Sequence, residues 1–136
     1  MSHVCLLAAD RPAPLYEAAE QRTRVVRFQG KQMLVQEDGF SVMEHEYYRP
    51  AVEELDYPMK PHQYELNLRA TEDDLRLLRD YLAKHFAPGE KVELWNLWVG
   101  GEKERLARLW GPLDGLDMKE LERFEQIHPI CLTVEI

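Results

Sequence analysis

The densest group of reactive side chains in the sequence is Glu44-His45-Glu46-Tyr47-Tyr48-Arg49, with His62 and Tyr64 a short way downstream. Imidazole is the side chain most easily poised near neutral pH, and neighbouring carboxylates raise its pKa and orient it. The set therefore suggests acid–base chemistry by His45 or His62, supported by Glu44, Glu46 or Tyr64. Two imidazoles with a glutamate could also hold a metal ion. The spacing opposes this, because residue 49 is arginine where an HExxH helix has its second histidine. On a strand, moreover, Glu44 and Glu46 project to one side and His45 to the other. No metal site is expected. The plainer reading of the stretch is a solvated edge strand with tyrosines packed beneath it.

Tyr48, Arg49, Asn96 and Trp98 are the candidates for holding a ligand. The wider aromatic set of Tyr47, Tyr48, Tyr57, Tyr64, Trp95, Trp98 and Trp110 could line a pocket, anchor an interface or fill a core. If residues 92–99 form a strand, Trp95 and Trp98 lie on opposite faces, so one site takes at most one of them. Asn96 stands among Leu94, Trp95, Leu97 and Trp98 and needs hydrogen-bond partners if buried. It is either a satisfied core amide or one turned towards a ligand. Gly100-Gly101-Glu102-Lys103 matches neither glycine-rich phosphate-binding pattern. Ser2 and Ser41, the only serines, sit in no nucleophile elbow. His3, His85 and His128 fall at expected element ends, and no cofactor is expected. Cys5 and Cys131 lie in apolar, strand-like runs without a CxxC partner and read as reduced, buried thiols.

The elements that must position these groups are clearest in the second half. Tyr64–Ala70 alternates as a half-buried strand. Thr71 caps a helix whose first turn carries Glu72, Asp73 and Asp74, and whose buried stripe is Leu75, Leu78, Leu82 and Phe86. Pro88-Gly89 ends it. Val92–Val99 is apolar on both faces, an interior strand. Lys103–Trp110 fits either a short helix or the second arm of a hairpin turning at Gly100-Gly101, and the glycine pair favours the hairpin. Asp117 and Glu120 punctuate the next helix, with Leu116 and Leu121 as its staple. Pro129 stops that helix, and Ile130–Ile136 alternates as a strand.

This order, β-α-β-β-α-β over residues 63–136, is that of a ferredoxin-like core, with both main helices on one face of a mostly antiparallel sheet. The first 62 residues are β-rich: Val4–Ala9 as a buried strand, Thr23–Phe28 and Gln32–Gln36 as a hairpin, and Phe40–Tyr48 as a further strand. Leu15–Gln21 reads as a turn or two of helix. These strands should extend or cover the core sheet, making one α+β domain.

With 136 residues, 25 acidic against 17 basic side chains and a formal charge of −8, the chain can bury an ordinary core without a metal or disulfide staple. The acidic balance opposes nucleic acid and anionic membrane as partners. No apolar run is long enough to span a bilayer, and Val4–Ala9 is too short for a secretory signal, so a cytoplasmic protein is expected. The resulting expectation is a non-enzymatic module that binds a protein or a small ligand, its partner being a second copy (a homodimer) or a basic protein. The alternative is a small acid–base enzyme using His45 or His62, metal-assisted in one version.

Overall fold

Val4–Ala9 is apolar at every position, as befits a strand covered on both faces, and it runs through the middle of the sheet. The computed structural model describes residues 2–18 and 22–136. In chain order its strands are β1 (Ser2–Ala9), β2 (Tyr16–Glu17), β3 (Arg22–Phe28), β4 (Lys31–Glu37), β5 (Ser41–Glu44), β6 (His62–Asn67), β7 (Lys91–Val99), β8 (Ala107–Pro112) and β9 (Ile130–Glu135). The helices are α1 (Arg49–Leu55), α2 (Glu72–His85) and α3 (Met118–Gln126). Among the described residues no helix is long and apolar enough to cross a membrane.

Seven strands form one sheet in the order β2-β5-β6-β1-β7-β9-β8, antiparallel except for the β8–β9 pair. Alternation along each strand divides the core in two. Leu7, Leu66, Val92, Leu94, Ile130, Leu132 and Val134 pack under α2 and α3, against Leu75, Leu78, Leu82, Leu121 and Phe124. Val4, Leu6, Ala8, Trp95, Leu97 and Cys131 point the other way, towards Val52 and Leu55 of α1. The two main helices thus share one face, as expected, and the fold is mixed α+β. Both helix starts are as read from the sequence: Thr71 accepts the Asp74 N–H at 3.1 Å and Asp117 the Glu120 N–H at 2.9 Å.

Four expectations are corrected. Lys103–Trp110 does contribute a strand, but not as a hairpin arm: β9 lies between β7 and β8. The chain leaves β8 through α3, and a crossover of that length permits parallel pairing with β9, so the direct pairing of the two middle strands in a ferredoxin-like sheet is absent. In its place β1, from the N-terminal part, joins β6 to β7. Secondly, Phe40–Tyr48 is a strand only over Ser41–Glu44. Pro50 then suits the first turn of α1, where its missing N–H costs nothing. Thirdly, β2 is extended and paired with β5 where helix was expected; residues 19–21 of that stretch lie outside the described residues. Finally, the hairpin of β3 and β4 forms as expected, with Gln29 and Gly30 both at positive φ in its two-residue turn. It neither extends nor joins the seven-stranded sheet, but makes a two-stranded sheet of its own.

Candidate functional site

At the end of β7, Asn96 and Trp98 project on the side of α2 and α3, where α3 runs out. The last carbonyls of a helix have no partner within it. Asn96 supplies one: its Nδ2 donates to the carbonyl oxygens of Phe124, Glu125 and Ile127 at 2.9, 3.2 and 3.1 Å. Its Oδ1 meets His3 Nε2. Asn96 is therefore a satisfied core amide, buried and engaged on both sides of its amide group. It holds the end of α3 against β7. Trp98 lies between His3 and His128, with ring centres 5.5 and 5.3 Å away.

Beside Trp98 opens a cavity of about 420 Å³, lined by Leu55, Tyr57, Trp98, Glu102, Glu104, His128 and Pro129. That size lies in the range of small-ligand pockets. Its outer wall is the segment after β7, which turns away at Gly100 with φ of 85°. Tyr57 Oη donates to the Glu104 carbonyl at 2.7 Å, and Lys103 Nζ donates to the Asp56 carbonyl at 3.5 Å. These bonds tie the segment to the end of α1. Burial, and then the Glu104 carboxylate, push the Tyr57 phenol up, so it keeps its proton and remains a donor.

Negative groups at the cavity outnumber the cation beside it, Lys103. Two acidic residues, Glu102 and Glu104, line the wall. Helix C-termini carry partial negative charge, and two of them end here: α1 at Leu55 and α3 just before His128 and Pro129. The chain already sets a cation at this wall, Lys103 Nζ lying 4.9 Å from the Tyr57 ring centre. Among the described residues the other such cations are Arg11 on Phe86 and Lys91 on Trp110, so the Trp98 ring carries none.

The structure does not bring the reactive segment of the sequence to this cavity. His45 is 1% exposed and neither ring nitrogen has a hydrogen-bond partner, so it is bonded to none of Glu44, Glu46, His62 and Tyr64. Burial, and then the nearby Arg49 guanidinium, lower its pKa, while the Glu53 carboxylate opposes them. Glu44 and Glu46 are exposed. Arg49 Nε donates to the His45 carbonyl at 2.9 Å, and Tyr48 packs edge-on to Tyr47 at 4.9 Å. Tyr64 Oη accepts the Ala13 N–H at 3.0 Å, and His62 stands opposite Ala9. Among the described residues no group of His, Cys, Asp and Glu could hold a metal ion.

Of the candidates, then, Trp98 alone lines the cavity, with Asn96 positioning the helix end beside it. Tyr57 belonged to the aromatic set. Glu102, Glu104 and His128 were missed, although a glutamate at every second position after Gly100-Gly101 was a readable signal. No protein-family model, curated protein or solved structure matches the chain.

Proposed function

We propose that this protein is a non-enzymatic binding module that takes a small organic cation, an ammonium or guanidinium group, in the cavity between Tyr57, Trp98 and His128. The observation that carries this reading is the convergence of two glutamates, two helix C-termini and the partly exposed, cation-free indole of Trp98 on one cavity. A cation over an indole face gains about 2 kcal/mol when desolvated. Carboxylates at the rim draw the charge in and fix its orientation. An acid–base role for His45 has less support, since the ring is enclosed and lacks a carboxylate partner.

The test is titration with choline, arginine amide and the neutral carbon isostere of choline, followed by calorimetry and tryptophan fluorescence. A cation should bind, and the isostere should bind at least about tenfold more weakly. Trp98→Ala and the double variant Glu102→Gln/Glu104→Gln should each lose most of that preference. Equal binding of the isostere, or cation binding that survives Trp98→Ala, would overturn the reading.

A further inference from the structure

The ribbon of β3 and β4 pairs only with itself, and both of its faces are apolar and open. Val25 and Leu34, opposite one another on one face, are 59% and 76% exposed. Phe28 and Met33, on the other face, are 59% and 47% exposed. A lone two-stranded ribbon is marginal in water, and exposed apolar patches mark interaction sites. Its base is nevertheless fixed, because Asn67 Nδ2 donates to the carbonyls of Asp38 and Gly39, both at 3.1 Å.

Charge identifies what covers the ribbon. Arg22–Glu37 holds Arg22, Arg24, Arg27 and Lys31 against one acid, Glu37, a net +3. The other 120 residues carry 13 basic and 24 acidic side chains, a net −11. One segment of the chain is thus opposite in sign to the rest of it. At the end of β5 and in the turn after it, Met43 and Tyr47 are exposed, and so are Glu44 and Glu46. Among the described residues Arg27, Lys31, Glu44 and Glu46 form no ion pair within the chain.

We propose that the ribbon is the arm of a symmetric dimer, docking its apolar and basic surface on the Met43–Tyr47 patch of a second copy. The arrangement is reciprocal, each copy giving a ribbon and receiving one, as a two-fold axis requires. It places Val25 and Leu34, on one face of the ribbon, against Met43 and Tyr47, with Arg27 of that face and Lys31 at the turn reaching Glu44 and Glu46. This proposal is independent of the cation site.

Sedimentation and light scattering measure it directly. The wild type should show twice the 16.0 kDa of the chain, with dissociation promoted by salt. Arg27→Glu/Lys31→Glu and Glu44→Lys/Glu46→Lys should each shift the mass to the monomer, with circular dichroism unchanged because all four positions are exposed. Their equimolar mixture should return to the dimer, since both contacts then regain opposite charges. Val25→Thr/Leu34→Thr should also yield monomer. A wild type that stays monomeric to high micromolar concentration would overturn the proposal, and so would a mixture that fails to reassociate. Monomeric wild type that binds heparin through Arg27 and Lys31 would assign the ribbon to a polyanion instead.

Discussion

His45 shows how one residue can attract a functional reading and then serve another end. Its neighbours in sequence argued for a reactive imidazole, and strand alternation through residue 46 was used only to set His45 on the face opposite Glu44 and Glu46. The strand stops at Glu44, so alternation no longer applies and the ring turns inward. What remains is a buried, neutral imidazole with both nitrogens unsatisfied. Burial disfavours its charged form in the folded protein, whereas the unfolded chain takes up a proton near pH 6.5. Above that pH the group adds no pH dependence. As pH falls through 6.5 the unfolded state gains a proton that the folded state resists, and stability drops. His45→Leu should therefore flatten the loss of melting temperature between about pH 7 and about pH 5, and add about 1 kcal/mol at neutral pH by removing the orphaned nitrogens. Parallel melting curves for variant and wild type would assign the acid sensitivity elsewhere. Asn96 was more legible: an amide in an apolar strand had to find partners, and it found the end of α3.

Elements were readable where their signals were local. Thr71 and Asp117 cap the helices they were expected to cap, because a cap bond spans only three residues. Thr71→Ala should cost about 1 kcal/mol in denaturant melts, with α2 still formed because Leu75, Leu78 and Leu82 hold it to the sheet. A larger loss, with α2 unfolding, would mean that packing contributes less than its burial implies. By contrast α1 was hidden: it has seven residues, no side-chain cap and two tyrosines before it. Only Val52 and Leu55, three residues apart, hinted at a buried face. The pairing partner of β8 was hidden for another reason. A glycine pair states that the chain turns, but which strand lies beside the turned chain depends on residues 20 or more positions away.

At the scale of the molecule, the sheet is a wall between two cores. That Val4–Ala9 is a covered strand was legible from unbroken apolarity, whereas its insertion between β6 and β7 was not, and neither was the self-contained ribbon, since its pattern matches that of a strand that joins a sheet. The wall also separates the thiols. Cys5 packs on the α2–α3 side and Cys131 on the α1 side, so they cannot pair. Cys131 is buried as expected and Cys5 only partly so; desolvation pushes Cys5 up to about 12 and Cys131 up to about 11. Since the thiolate is the reactive form, Ellman's reagent at mildly alkaline pH should label neither thiol in the native protein and both after denaturation. Rapid native labelling would mean that the sheet opens readily.

The central place of β1 has a temporal consequence. On the ribosome the apolar run Val4–Ala9 emerges well before the strands that flank it, because β6 and β7 begin only at His62 and Lys91. At about 10 residues per second the wait for the first of them lasts about 5 s. During that interval Val4–Ala9 is a sticky nascent segment, and anything that slows translation before His62 lengthens its exposure to chaperones and to other unfinished chains.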